Sequence, residues 1–154
     1  MDQNNRLKVL FLCTGNACRS QMAEGWAKAL KSDVIDAYSA GVSPHGMNKL
    51  AIESMREVGV DITSHHSKHL NELLDAGVVF DVVVTVCGHA NENCPIFPGK
   101  TRVVHVGFDD PPKLAKDAGA TTDEAALPHY RIVRDRIKAF IETLPESILH
   151  RSQS

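Results

Sequence analysis

The chain has 154 residues, 43% of them hydrophobic, and its 17 Lys+Arg against 19 Asp+Glu give a net charge of -2. That size suits one domain, here residues 1–154, with enough apolar surface to bury a core without staples. The near balance of charge excludes a broad basic face for nucleic acid or an anionic membrane, which leaves small anions or another protein as partners. No apolar stretch approaches a membrane span, and the first residues lack the apolar region of a secretory signal, so a cytoplasmic location is expected. In that reducing compartment the four cysteines are expected to be catalytic, redox-active or metal-binding rather than a permanent framework.

In chain order, Lys8 to Leu12 reads as a buried strand. Gln21 to Leu30 reads as a helix, with Met22, Trp26, Ala29 and Leu30 at helical spacing. A second strand is predicted near Val34 to Ala40. After a turn-rich stretch from Gly41 to Gly46, a helix is predicted over Met47 to Val58, ended by Gly59. Another is expected around His69 to Ala76. The β-branched run Val78 to Val86 is the strongest strand signal, and Arg102 to Val106 gives a fourth strand. A long polar connection from Asp109 to about Ala126 then precedes a final helix from Pro128 to Leu144. Residues 146–154 are expected to form a frayed tail. Alternating strands and helices predict an α/β fold, a single four-stranded parallel sheet with helices on both faces and ligands outside the carboxyl ends of the strands.

The segment from Cys13 to Arg19, Cys-Thr-Gly-Asn-Ala-Cys-Arg, leaves the first strand and enters the first helix. A loop so placed turns backbone N–H groups inward, where they and the helix dipole attract an anion and favour a thiolate. Thr14, Gly15, Asn16, Ala17, Cys18, Arg19 and Ser20 are therefore the candidate oxyanion-binding residues, with Cys13 as nucleophile. Arg19 offers two parallel donors to a tetrahedral oxyanion, which lysine does not match. Ser20 is placed to point its hydroxyl at Cys13, or to cap the helix, and Asn16 to bond across the turn. Cys18 is read as a packing residue.

A second segment, Thr85 to Pro95, carries Cys87 and Cys94. Residues seven apart on a regular helix are about 10 Å apart, too far for a disulfide, so joining these two requires the segment between them to unwind. Zinc ligation by Cys87, His89 and Cys94 and simple burial of both thiols are the alternatives, but zinc lacks a fourth ligand nearby. His65, His66 and His69 have no cysteine or carboxylate companion and read as an exposed polar face; no metal is expected.

VLFLCTGNACRSQMAEG, VVTVCGHANENCP and HVGFDDPP together resemble the thioredoxin-coupled arsenate reductases, which are built on the low-molecular-weight tyrosine phosphatase fold. The resemblance runs from about Val9 to Leu144. It implies a three-thiol relay: Cys13 attacks arsenate held by Arg19 and the loop, and Cys87 attacks Cys13 as arsenite leaves. Cys94 then resolves the transient Cys13–Cys87 disulfide into a Cys87–Cys94 disulfide that thioredoxin reduces. It also implies Asp110 as the general acid, ahead of Asp109. No bound cofactor is implied, thioredoxin being an external and transient reductant, and a monomer is expected. The residues matching a potassium site in some members are Asn16, Glu24, Ser39 and Lys68. Lysine does not ligate a cation, so no potassium is expected, with the Lys68 ammonium pairing with Glu24 or facing solvent.

Two other functions use the same residues. A phosphatase would hydrolyse phosphotyrosine through Cys13 and Arg19, but has no use for Cys87 and Cys94. Its family also places proline where Gln21 stands and favours Asp-Pro-Tyr over Asp110-Pro111-Pro112. A redox-sensing, anion-binding module without catalysis is the other alternative.

Overall fold

The computed structural model describes residues 6–44, 46–86 and 101–149. The first apolar run forms β1 (Leu7–Cys13), which pairs in parallel with β2 (Ile35–Gly41) on one side and β3 (Val82–Thr85) on the other. Strand β4 (Arg102–His105) pairs in parallel with β3, giving the order β2-β1-β3-β4. A strand with neighbours on both edges and cover on both faces has no solvent side, so its sequence runs apolar without alternation. Val9, Phe11 and Cys13 of β1 enter the larger core cluster, and Leu10 and Leu12 enter the smaller one across the sheet.

The helices are α1 (Arg19–Leu30), α2 (Lys49–Arg56), α3 (Leu70–Asp75), α4 (Pro111–Asp117), α5 (Asp123–Ile141) and α6 (Glu146–Leu149). The larger cluster takes Met22 and Trp26 from α1, Ala51 and Met55 from α2, and Val133 and Ile137 from α5. Leu70 of α3 packs in the smaller cluster with Phe80. The sheet is therefore covered on both faces, as expected. The Trp26 indole N–H donates to the Arg134 carbonyl at 3.1 Å, tying α1 to α5. No described helix is long and apolar enough to cross a membrane.

Four expectations need correction. The run from Val78 is strand only over Val82–Thr85, and Val79 is 76% exposed; the Asp81 carboxylate accepts from the Lys8 N–H just before β3 begins instead. The connection after Asp109 is not irregular, since it contains α4, begun by Pro111. The last long helix starts at Asp123, with the Thr122 hydroxyl accepting from the Ala125 N–H, so Pro128 lies inside it rather than at its start. Finally, residues 146–149 of the expected tail form α6 and bury Ile148 completely.

Candidate active site

Cys13 ends the central strand, and α1 begins at Arg19 with no side chain capping its first turn. Between them the loop carbonyls are all bonded outward. Thr14 O accepts from the N–H groups of Val42 and Ser43 (3.1 and 2.9 Å), and Ala17 O from that of Asn48 (3.2 Å). Gly15 O accepts from the Ser67 hydroxyl at 3.0 Å and Asn16 O from the Gln21 amide at 3.2 Å. Cys18 O takes the first helical bond, from Met22 N–H at 2.9 Å. In a planar trans peptide the C=O and N–H point opposite ways, so these outward carbonyls turn the following amides inward. Together with the uncapped start of α1, this arrangement can cradle an anion.

The cradle is possible because two special residues stand behind it. Asn16 has φ 48, the left-handed region that asparagine tolerates. A Cβ on Gly41 would meet Thr14 O at 2.5 Å and Asn16 N at 3.0 Å, so only glycine lets β2 end this close to the loop.

Cys13 lies at the base, 3% exposed. The Asn16 N–H donates to its Sγ at 3.2 Å, and Ser20 Oγ lies 2.9 Å away. The Asn16 side-chain amide donates to Ser20 Oγ at 2.8 Å. With that lone pair used, the Ser20 hydroxyl has its proton available for Cys13, so the sulfur faces two donors. Cys18, also buried, differs: burial pushes its thiol well above the ordinary range, with Asp110 adding to the effect. It stays protonated, in keeping with a packing role.

Arg19 is 6% exposed. Its Nη1 donates to Phe108 O at 2.9 Å and its Nη2 stands 3.7 Å from Asp110 Oδ1. Asp110 precedes α4 but makes no capping bond to it, and its carboxylate stands beside the Arg19 guanidinium. Asp109 points elsewhere, its Oδ2 lying 3.3 Å from Arg136 Nη1. Cys87 and Cys94, together with His89, lie outside the described residues.

Three neighbouring readings change. Lys68 does not form an ion pair with Glu24: its ammonium donates to the His66 carbonyl at 3.1 Å, while Lys28 Nζ lies 2.6 Å from Glu24 Oε2 and Ser39 Oγ donates to Oε1 at 2.5 Å. Burial works to raise the Glu24 carboxyl, but Lys28, Ser39 and His65 outweigh it and hold the group below its usual range. The histidines do not share a helical face, because α3 starts only at Leu70, where His69 Nδ1 accepts from Asn71 N–H as a cap. His65 is not exposed either; its side chain is 9% exposed and its Nδ1 lies 3.0 Å from Gln21 Oε1. Among the described residues no cluster of three or more His, Cys, Asp or Glu is placed to hold a metal.

Sequence reasoning missed Gln21, His65 and Asn48 as supports of the loop. The partners of His65 and Asn48 lie far along the chain and carry no local signal, and Gln21, though close to Asn16 in sequence, has its other partners at His65 and His66. Asn48 Nδ2 also donates to the Tyr130 hydroxyl at 3.1 Å. Burial, first of all, pushes that phenol up to about 12.

Comparison with known proteins adds an independent line. The model of the low molecular weight phosphotyrosine protein phosphatase family matches residues 8–153. An arsenate reductase of Halalkalibacterium halodurans is 49% identical over 144 residues, covering 90% of this chain and 98% of that protein. Among solved structures, an arsenate reductase in the phosphate binding state aligns with a TM-score of 0.70 at 31% identity, over 92% of this chain and 98% of that one. A low molecular weight protein tyrosine phosphatase from T. tengcongensis aligns with a TM-score of 0.63 at 26% identity, over 92% and 99%.

Proposed function

The chain belongs to the low molecular weight phosphotyrosine protein phosphatase family, and with arsenate reductases among its relatives we propose that it is an oxidoreductase that converts arsenate to arsenite. The observation that carries this reading is the loop whose carbonyls are all bonded outward around a doubly hydrogen-bonded Cys13. Such a loop accepts a tetrahedral oxyanion and presents a nucleophile to its centre.

In this reading the inward amides and Arg19 hold arsenate with arsenic in line with Cys13 Sγ. The sulfur bonds to arsenic while one As–O bond breaks, and Asp110 gives a proton to the leaving oxygen. Cys87 Sγ then attacks Cys13 Sγ. An S–S bond forms, the S–As bond breaks, and its electron pair stays on arsenic, which falls from the pentavalent to the trivalent state and leaves as arsenite. Cys94 attacks Cys87, expelling the Cys13 thiolate, and the Cys87–Cys94 disulfide is reduced by thioredoxin from outside. The relay and its reductant rest on the sequence resemblance, since Cys87 and Cys94 lie beyond the described residues.

The test couples NADPH oxidation to arsenate in the presence of thioredoxin and thioredoxin reductase, with aryl phosphate hydrolysis measured in parallel. Arsenate-dependent oxidation is expected. Cys94→Ser should release about one arsenite per enzyme and stall, and Cys87→Ser should release none. Aryl phosphate turnover without arsenate reduction would replace this reading with a phosphatase.

A further inference from the structure

Asn16 bears two of the contacts on which the nucleophile depends, yet it sits in a backbone region that an ordinary side chain adopts at a cost. Something must hold it there. Its carbonyl and its Oδ1 both accept from Gln21 Nε2, at 3.2 and 3.1 Å, and Oδ1 accepts a second bond from Lys68 N–H at 2.9 Å. Gln21 is itself completely buried. Its amide nitrogen reaches a third acceptor, the His66 carbonyl, at 3.1 Å.

These three acceptors fix which way the Gln21 amide faces. Were it flipped, Oε1 would oppose three oxygens. Oε1 therefore faces His65 Nδ1, and because a carbonyl only accepts, Nδ1 carries the proton. Burial lowers the imidazole's basicity, opposed by Glu24 and Asp61 and aided by Lys28 and Lys68, so the ring is neutral near pH 7. A proton added at Nε2 in acid leaves the Nδ1–H bond intact.

We propose that Gln21, oriented by His65, is a positioning residue that locks Asn16 in its left-handed turn and so keeps the Asn16 N–H and side-chain amide trained on Cys13 and Ser20. The order of action is His65 on Gln21, Gln21 on Asn16, Asn16 on the sulfur. Gln21 and His65 act on the sulfur only through Asn16. The role rests on the reading of Cys13 as nucleophile, and the test separates the two.

The experiment compares the full-length protein with Gln21→Met, His65→Phe and the double variant. Gln21→Met keeps the side-chain length and removes both polar ends. His65 lines a surface cleft of about 320 Å³ with Lys28 and Ser64, so a phenyl ring has room there, and His65→Phe keeps the proposal testable should Gln21→Met fold poorly. Three quantities are read: the rate of Cys13 alkylation by iodoacetamide at pH 7, located by peptide mass; its protection by inorganic phosphate; and the thermal midpoint. Loss of one buried bond set should slow alkylation and weaken phosphate protection by ~10-fold in Gln21→Met, and by ~3-fold in His65→Phe, where Gln21 keeps its other partners. The double variant should be no worse than Gln21→Met, because both changes act along one path. A fall in thermal midpoint with alkylation and phosphate protection unchanged would overturn the positioning role, as would additive losses in the double variant. If Cys13 of the parent protein is neither alkylated faster than Cys18 nor protected by phosphate, it is the nucleophile assignment that fails.

Discussion

Cys13 and Cys18 stand at the two ends of one loop, both buried, with 3% and 6% exposure. Their surroundings differ in one respect. Cys13 Sγ has a backbone N–H and a serine hydroxyl beside it, whereas at Cys18 burial, helped by Asp110, outweighs the opposing charge of Arg19 and drives the thiol up. Desolvation alone makes a sulfur inert, and fixed donors are what the proposed nucleophile has in addition. The contrast is set by what stands behind each end, a polar wall of Gln21 and His65 behind Asn16, and helix packing around Cys18.

The largest expected effect tests that contrast directly. Cys13→Ser should reduce arsenate turnover to background in the coupled assay, while Cys18→Ala should keep turnover within about threefold and lose ~1 kcal/mol of stability from the small cavity left. Comparable losses of activity in both would erase the distinction. Gly41→Ala comes next. Its methyl would press on Thr14 O and Asn16 N, which are backbone atoms that yield only if the loop shifts. A cost of ~1–3 kcal/mol in urea unfolding is expected, with slower alkylation of Cys13 and none gained at Cys18. Unchanged alkylation would show that the Cys13 end tolerates displacement.

The smallest effect is on the pH dependence of stability, and the two ends should differ in its direction. His65 behind the Cys13 end has a lowered folded value. The unfolded chain then binds the proton first, and stability falls as pH drops below about 6.5. Tyr130, on the other side, is raised to about 12. The unfolded tyrosine ionises first, so its contribution is intact below pH ~10 and is lost as pH rises from there towards 12. Urea midpoints across pH should therefore decline on both limbs, and Tyr130→Phe should flatten the alkaline one. An alkaline limb that survives Tyr130→Phe would assign it to another group.

Most of the sheet was legible because β1 and β3 are buried on both faces and leave unbroken apolar runs, and α2 because its apolar residues fall at helical spacing and Gly59 follows it; its start lies at Lys49, after the Asn48 cap, rather than at Met47. The loop was legible for a similar reason: strand, turn, arginine and helix follow one another in a few residues. What escaped reading depended on distant partners. Val78 and Val79 look like strand until the sheet proves to end at Val82, since β propensity states only what suits a half-buried surface. Pro128 looked like a helix start, but Thr122 supplies a better cap upstream. His65 looked like part of a polar face because its acceptor, Gln21, lies on α1, far along the chain. The pairing foreseen between Lys68 and Glu24 lost to Lys28, one helical turn from Glu24 and therefore already in place.

The position of β1 between β2 and β3 bears on the lifetime of the site. Amides in the middle of a parallel sheet exchange with solvent only when the whole domain opens, while chain ends and surface turns open far more often. Cys13 is the last residue of that central strand. Its placement is therefore tied to the core, whereas the loop around it leans on Val42, Ser43, Asn48 and Ser67 and follows the local opening of those segments.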